Sequence, residues 1–168
     1  MSEIYFDNGA TTRAFPEVRE IMSEVLDIEY GHPSSMHMKG FRAEKYLNQA
    51  KETIAKSLKV DPKEIYFTSG GTEANNLALI GTAMAHKRTK KHIITSCIEH
   101  ASVYNPLSCL EDEGFEVTYL PVDHKGIVDL DKLKEALRPD TFLVSVMCVN
   151  NEIGAVDPIE EIGKIVKR

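Results

Sequence analysis

A glycine-rich turn is the part of this sequence whose residue types and spacing best suit the binding of an anion. Gly70, Gly71 and Thr72 follow an apolar segment at 64–68, predicted to be a buried strand, and precede a segment at 73–86 with helical periodicity. Glycine lets the backbone approach a bound group, a threonine hydroxyl can donate a hydrogen bond, and the first turn of a helix presents unpaired N–H groups. The turn therefore indicates a phosphate site, with an ordinary strand-to-helix connection as the alternative.

Two further predicted strands are followed by side chains suited to a ligand site. His100 comes after the segment at 92–96, and its ring could lie flat against a planar ligand or transfer protons near neutral pH. Asn150 and Asn151 come after the segment at 142–147, and their amides could hold a carboxylate or a phenolic oxygen. A polar residue at a helix start and an asparagine turn are the structural alternatives for these two loops.

Composition excludes several classes of protein. The chain has 168 residues, 42% of them hydrophobic, and a formal net charge of −6, which argues for a folded domain and against a nucleic-acid partner. The glycine spacing matches neither the P-loop nor the dinucleotide fingerprint. No apolar run is long enough for a membrane span and the N-terminus does not resemble a signal peptide, so we expect a cytoplasmic protein. The three cysteines lack metal-site spacing, and we expect no metal and buried thiols at Cys97, Cys109 and Cys148.

The remaining pattern predicts the elements that position these loops. A helix beginning at Pro16 and a longer amphipathic helix at about 40–58 come first. Strands then alternate with helices, and the segments at 92–96 and 142–147 are apolar enough to be buried on both faces of a sheet. The expected fold class is α/β, a mostly parallel sheet with helices on both faces. Ligands of such sheets bind at the carboxyl ends of the strands, so the three loops should form one composite site. The further predicted elements are strand 116–120 and helices at about 101–113, 130–137 and 158–167.

Five motifs, in this order along the chain, resemble the cysteine desulfurase family within the class V aminotransferases. They are Tyr5–Thr12, Gly31–His37, Phe67–Asn76, Glu99–His100 and Val149–Gly154. The resemblance implies a pyridoxal-phosphate enzyme of fold type I that converts L-cysteine to L-alanine and passes a persulfide to iron–sulfur cluster assembly or transfer-RNA thiolation. It also implies a homodimer, with an iron–sulfur scaffold or another sulfur acceptor as partner.

The resemblance assigns a role to each matching residue. Gly71 and Thr72 would hold the cofactor phosphate, His100 would stack on the pyridine ring and assist proton transfer, and Asn151 would lie beside the cofactor and the substrate carboxylate. Two departures are small: Gly9 stands where the family more often has another small residue or Asn, and Gly71 stands where Ala is usual.

The resemblance covers the N-terminal part of the family's chain. It implies an N-terminal arm at 1–15 and the first part of the cofactor-binding large domain at 16–168, without the rest of that domain or the small domain. The family's Schiff-base Lys, its Asp and Gln at the cofactor ring, and its persulfide Cys lie outside this sequence, so we expect the isolated chain to be inactive. A selenocysteine lyase, another class V aminotransferase, and a non-catalytic binding or assembly module are the alternatives.

Overall fold

The computed structural model describes residues 4–167 and divides the chain into two units, Met1–Phe67 and Thr68–Arg168. Two helices make up most of the first unit. Helix α1 spans Pro16–Asp27 and has the predicted proline in its first turn, where the missing N–H costs no hydrogen bond. Helix α2 spans Met38–Leu58 and is capped by His37, whose Nδ1 accepts the backbone N–H of Gly40 at 3.2 Å. No helix in residues 4–167 is both long and apolar enough to cross a membrane.

The strand predicted at 64–68 is absent from the described structure, so that prediction is wrong. Pro62–Glu64 instead forms a short 3-10 turn with a capping box, in which Asp61 Oδ1 accepts the backbone N–H of Lys63 and Glu64 Oε2 accepts that of Asp61. Tyr66 and Phe67 are 75% and 49% exposed. A strand needs a hydrogen-bonded neighbour, and among residues 4–167 the segment has none, although its apolar and aromatic side chains suggest burial.

The second unit alternates helices and strands in the predicted order, which confirms the remaining elements to within a few residues. Three strands form a parallel sheet in the order β2-β1-β3, with β1 in the centre. The parallel α/β fold class is thereby confirmed. The elements are α3 at Gly71–His86, β1 at His92–Ser96, α4 at Ala101–Asp112, β2 at Glu116–Leu120, α5 at Leu130–Ala136, β3 at Thr141–Ser145 and α6 at Ile159–Val166.

Neighbouring residues of the central strand belong to two different cores. Ile93 packs in one cluster with residues of α3 and α4, and Ile94 packs in another with residues of α5 and α6. Because successive strand residues point to opposite faces, helices cover both faces of the sheet, as predicted. All residues of β1 are buried, whereas those of β3 are only half-buried and the strand ends at Ser145. Full burial of 142–147 is therefore not observed, because β3 lies at the edge of the described sheet.

The three cysteines are exposed, contrary to the prediction that they are buried. Cys97 and Cys148 lie just beyond the last residues of β1 and β3, in loops that leave the core. Cys109 lies in α4 next to the buried Leu110. These three cysteines lie near apolar residues in the sequence, but that position did not predict burial of their side chains.

A buried histidine joins all three strands. The side chain of His92 is 1% exposed, with Nδ1 2.7 Å from Thr141 Oγ1 of β3 and Nε2 2.8 Å from Thr118 Oγ1 of β2. Burial lowers the pKa of His92 and the positive charge of Arg138 adds to this, while Asp140 and Glu116 act less strongly in the opposite direction. The folded sheet therefore favours the neutral form of the His92 imidazole over the protonated form.

Acid is expected to destabilise the fold through His92. The unfolded chain takes up the proton near pH ~6.5, whereas the folded chain takes it up only at lower pH. The contribution of neutral His92 to the free energy of unfolding is therefore complete above pH ~6.5 and is lost as the pH falls through the folded-state pKa. The loss is at most ~1.4 kcal/mol per pH unit. Urea unfolding at about pH 7.5 and pH 5.5 measures this change in the free energy of unfolding.

Two variants test whether His92 is responsible. His92→Gln should show a weaker pH dependence of stability than the wild type, and His124→Gln, at an exposed position, should match the wild type. An unchanged pH dependence in His92→Gln would contradict this interpretation.

Candidate functional site

The N-terminus of α3 carries free hydrogen-bond donors. Gly70, the residue before the helix, makes no side-chain cap, and no hydrogen bond within residues 4–167 uses the backbone N–H of Gly71 or Thr72. Helix starts leave such donors unpaired, and they add to the positive end of the helix dipole. A Cβ atom built at Gly70 or Gly71 would meet nothing within 4 Å, so the space above the turn is open. The turn is thus free to receive an anion.

The carboxylate of Glu73, in the first turn of α3, makes its hydrogen bonds to Ser69. Glu73 Oε2 accepts hydrogen bonds from the backbone N–H and the hydroxyl of Ser69, at 2.7 and 2.6 Å. These two bonds lower the pKa of Glu73, because they stabilise the ionised form. Glu73 therefore holds the loop before the helix and does not occupy the N–H groups of Gly71 and Thr72.

A cavity of about 410 Å³ lies beside the start of α3 and joins it to the start of α4. Thr72 and His100, which the sequence placed in one site, both line it. None of the side chains that line it is acidic, and its volume is in the range found for small-molecule sites. The lining residues are Thr72, Asn76, Ile80, His100, Ala101, Ser102, Asn105, Pro106 and Cys109.

His100 is fixed by the helix that it begins. It is the N-cap of α4, and its Nδ1 lies 3.1 Å from the backbone nitrogen and 2.8 Å from the hydroxyl oxygen of Ser102. Ser102 Oγ also accepts a hydrogen bond from Asn75 Nδ2 of α3 at 2.9 Å. The imidazole is exposed, so one edge of the ring is held while the rest of it is accessible. The sequence pattern did not point to Ser102 or Asn75, and their only signal was a polar pair at two neighbouring helix starts.

Two side chains join the loop after β1 to the loop after β3. Glu99 Oε1 accepts the hydroxyl of Ser96 at 2.8 Å and the backbone N–H of Met147 at 2.7 Å. Asn150, which is 6% exposed, donates from Nδ2 to the carbonyl of Ile98 at 3.1 Å. Burial raises the pKa of the Glu99 carboxyl, although the bonds from Met147 and Ser96 oppose that change. The loops that carry His100 and Asn151 are therefore held together by side chains.

The two adjacent asparagines have different roles. Asn150 Oδ1 accepts the backbone N–H groups of Glu152 and Ile153, so its amide builds the turn, which is the structural alternative noted from the sequence. Asn151 is exposed, and within residues 4–167 its Nδ2 donates one hydrogen bond, to the neighbouring Glu152 Oε1 at 2.8 Å. Asn151 does not line the cavity, but its loop is joined to the loop of His100. Its role at a ligand remains a prediction.

These residues fit a phosphate ester attached to a flat ring. Free N–H groups at Gly71 and Thr72 and an open turn suit the phosphate, and an exposed imidazole at the same cavity suits a ring. In residues 4–167 no group of three His, Cys, Asp or Glu side chains could hold a metal ion. The N–H groups of Gly71 and Thr72 and the exposed imidazole favour an organic phosphate as the ligand.

Comparison with known proteins identifies the family. Residues 4–168 match the family described as Aminotransferase class-V. The chain belongs to the aminotransferase class-V family. A cysteine desulfurase IscS of Dictyoglomus turgidum is 50% identical over 98% of this chain and 42% of its own length. The resemblance inferred from the five motifs is thereby confirmed.

Solved class-V structures share the same fold. A structure described as a NifS-like protein aligns with a TM-score of 0.95 at 43% identity, over 99% of this chain and 46% of its own. A structure described as SspA in complex with cysteine aligns with a TM-score of 0.91 at 42% identity, over 97% of this chain and 47% of its own. The chain thus spans less than half the length of these relatives and corresponds to their N-terminal part.

Proposed function

We propose that this chain is the N-terminal, cofactor-binding part of a pyridoxal-phosphate-dependent cysteine desulfurase, which converts L-cysteine to L-alanine and transfers the sulfur as a persulfide. The observation that carries the proposal is the uncapped start of α3 at the same cavity as His100. Two relatives support cysteine over selenocysteine as substrate: the 50% identical protein is named a cysteine desulfurase, and the 42% identical structure is described as a complex with cysteine.

Each predicted site residue has a task in this proposal. The N–H groups of Gly71 and Thr72 and the Thr72 hydroxyl bind the phosphate, whose negative charge is favoured by the positive end of the α3 dipole. The His100 ring packs against the pyridine ring, and Asn151 offers an amide donor to an anionic oxygen. When bound, the cofactor supplies the electron-withdrawing ring on which the chemistry at carbon and sulfur depends.

Further parts of the proposal concern the whole protein. A homodimer, cytoplasmic location and delivery of sulfur to an iron–sulfur scaffold or another sulfur acceptor agree with the family resemblance. The exposed apolar side chains of α1, among them Leu26 at 71% exposure, are consistent with a further protein surface covering that helix. Because the chain spans only 42% of the length of its 50% identical relative, we infer that the remaining functional groups of such an enzyme lie outside the matched part.

The phosphate site is tested by comparing two ligands that differ only in the phosphate. Pyridoxine 5′-phosphate and pyridoxine lack the aldehyde of the cofactor, so neither can react with surface lysines. We expect the phosphate ester to bind the chain at least about tenfold more tightly, because hydrogen bonds to a charged group contribute about 1.5–3 kcal/mol. Equilibrium dialysis measures both dissociation constants, and equal affinity for the two ligands would contradict the proposed site.

A matched pair of variants locates the effect on α3. Thr72→Val removes the hydroxyl at the start of the helix and should weaken binding of pyridoxine 5′-phosphate about tenfold, while affinity for pyridoxine stays unchanged. Thr89→Val makes the same change just beyond the C-terminal end of the helix, at an exposed residue, and should have no effect. Equal losses in both variants would count against Thr72 as a phosphate ligand.

A further inference from the structure

The hydrogen bonds around His100 determine which of its ring nitrogens carries the proton. The backbone N–H of Ser102 points at His100 Nδ1, with the two nitrogens 3.1 Å apart. A backbone N–H can only donate, so Nδ1 must accept and cannot itself hold a proton in this arrangement. In the neutral ring the proton then lies on Nε2.

A second donor reaches the same nitrogen through a buried hydroxyl. Ser102 Oγ lies 2.8 Å from His100 Nδ1 and 2.9 Å from Asn75 Nδ2. The amide of Asn75 donates to Ser102 Oγ, so the single hydroxyl proton of Ser102 is left to donate to Nδ1. Ser102 is only 8% exposed, which limits replacement of these bonds by water. Each group thus donates to the next: Asn75 of α3 donates to Ser102, and Ser102 donates to the ring of His100.

We propose that Ser102 is a positioning residue that holds His100 in its Nε2–H tautomer, with Asn75 orienting the Ser102 hydroxyl. The two bonds to Nδ1 restrict rotation of the imidazole, whereas no hydrogen bond within residues 4–167 involves Nε2, and the exposed His100 lines the cavity. The neutral His100 therefore presents a hydrogen-bond donor, not a proton acceptor, at its free edge.

The consequence for a bound ligand rests on the proposed function. There, an Nε2–H donor suits an anionic oxygen of the substrate or cofactor. The orientation of the ring itself does not depend on any ligand. Its test is therefore independent of whether the chain binds pyridoxal phosphate.

Nitrogen-15 NMR of the chain without ligand reads the tautomer directly. At about pH 8, where free imidazole is neutral, we expect Nδ1 of His100 at the shift of an unprotonated nitrogen and Nε2 at that of a protonated one. A scalar coupling across the hydrogen bond between the Ser102 amide nitrogen and Nδ1 should also be detectable. A protonated Nδ1 in the wild-type chain would overturn the proposal.

Four variants separate the effect of these hydrogen bonds from general effects of substitution. In Ser102→Ala the hydroxyl donor is lost, and in Asn75→Asp the carboxylate can only accept, so it draws the hydroxyl proton of Ser102 away from Nδ1. Both should move the Nδ1 shift of His100 in the same direction. Asn48→Asp makes the same change at an exposed residue of α2 that does not line the cavity, and should leave Nδ1 at its wild-type shift.

The outcomes of these variants decide the proposal. An Nδ1 shift that is unchanged in both Ser102→Ala and Asn75→Asp would overturn the role of Ser102, and so would an equal shift in Asn48→Asp. Ser102→Thr retains a hydroxyl and should restore the wild-type shift, which a loss of general packing would not explain. Failure of these measurements would leave the phosphate-binding proposal intact, because no cofactor is present in them.

Discussion

The variant Gly40→Ala is expected to lower the free energy of unfolding by about 3 kcal/mol. Alanine normally stabilises a helix relative to glycine, but a Cβ atom at Gly40 in α2 would clash with the backbone oxygen of Ser35 and lie 2.9 Å from that of His32. These atoms belong to the loop that precedes α2, so the clash can be relieved only by moving backbone. Such a movement would also disturb the His37 cap, which lies between that loop and the helix.

Urea unfolding followed by circular dichroism measures this loss of stability. Gly81→Ala is the matched control, because Gly81 lies inside α3 and a Cβ atom there would meet nothing within 4 Å. We expect this control to gain up to ~1 kcal/mol. If Gly40→Ala were as stable as the wild type, the close packing of the loop at 32–35 on α2 would be wrong.

The second large effect is expected at Glu99. Replacement by alanine removes the acceptor of the Met147 N–H and of the Ser96 hydroxyl, and should cost about 2 kcal/mol. It should also increase hydrogen exchange of backbone amides in the turn at 150–154, because that turn loses a connection to the loop after β1. Urea unfolding and amide exchange in the same samples measure the two consequences.

Glu99→Gln separates the hydrogen bonds from the charge. Glutamine keeps an oxygen acceptor but has no charge to bury, so we expect a stability near that of the wild type at neutral pH. Burial raises the folded-state pKa of Glu99, so the wild type gains stability from this group below the unfolded pKa of about 4.3 and loses it as the pH rises through the folded pKa. The wild type should therefore gain relative to Glu99→Gln on acidification. Equal destabilisation by Gln and Ala at neutral pH would show that the charge itself is required.

The order of elements in the second unit could be predicted from sequence because burial and periodicity agree there. Ile93 and Ile94 lie in a continuous apolar run, and a central parallel strand is buried on both faces. The same reasoning failed at 64–68, because a strand also depends on a neighbouring strand that its own sequence does not specify. It failed for Cys97 and Cys148 because they lie one to three residues beyond a strand, where the chain leaves the core.

The sequence predicted the residues of the candidate site that would contact a ligand. It did not predict the residues whose hydrogen bonds hold them in place. Thr72 and His100 have side chains whose chemistry is recognisable after a predicted strand, and the structure places both at one cavity. The contacts of Glu99 with Met147 and of Asn75 with Ser102 join residues 48 and 27 positions apart. Such pairs follow from the packing of helices and strands, and no local pattern in the sequence signals them.

Amide NMR of the chain during ligand titration would decide whether the start of α3 binds the phosphate. On titration with pyridoxine 5′-phosphate, we expect saturable shifts of the backbone amides of Gly71 and Thr72 and of the His100 ring signals. The same titration with pyridoxine should leave the amides of Gly71 and Thr72 unmoved. Saturable binding of the phosphate ester without any change at Gly71 and Thr72 would contradict the assignment of the start of α3 as the phosphate site.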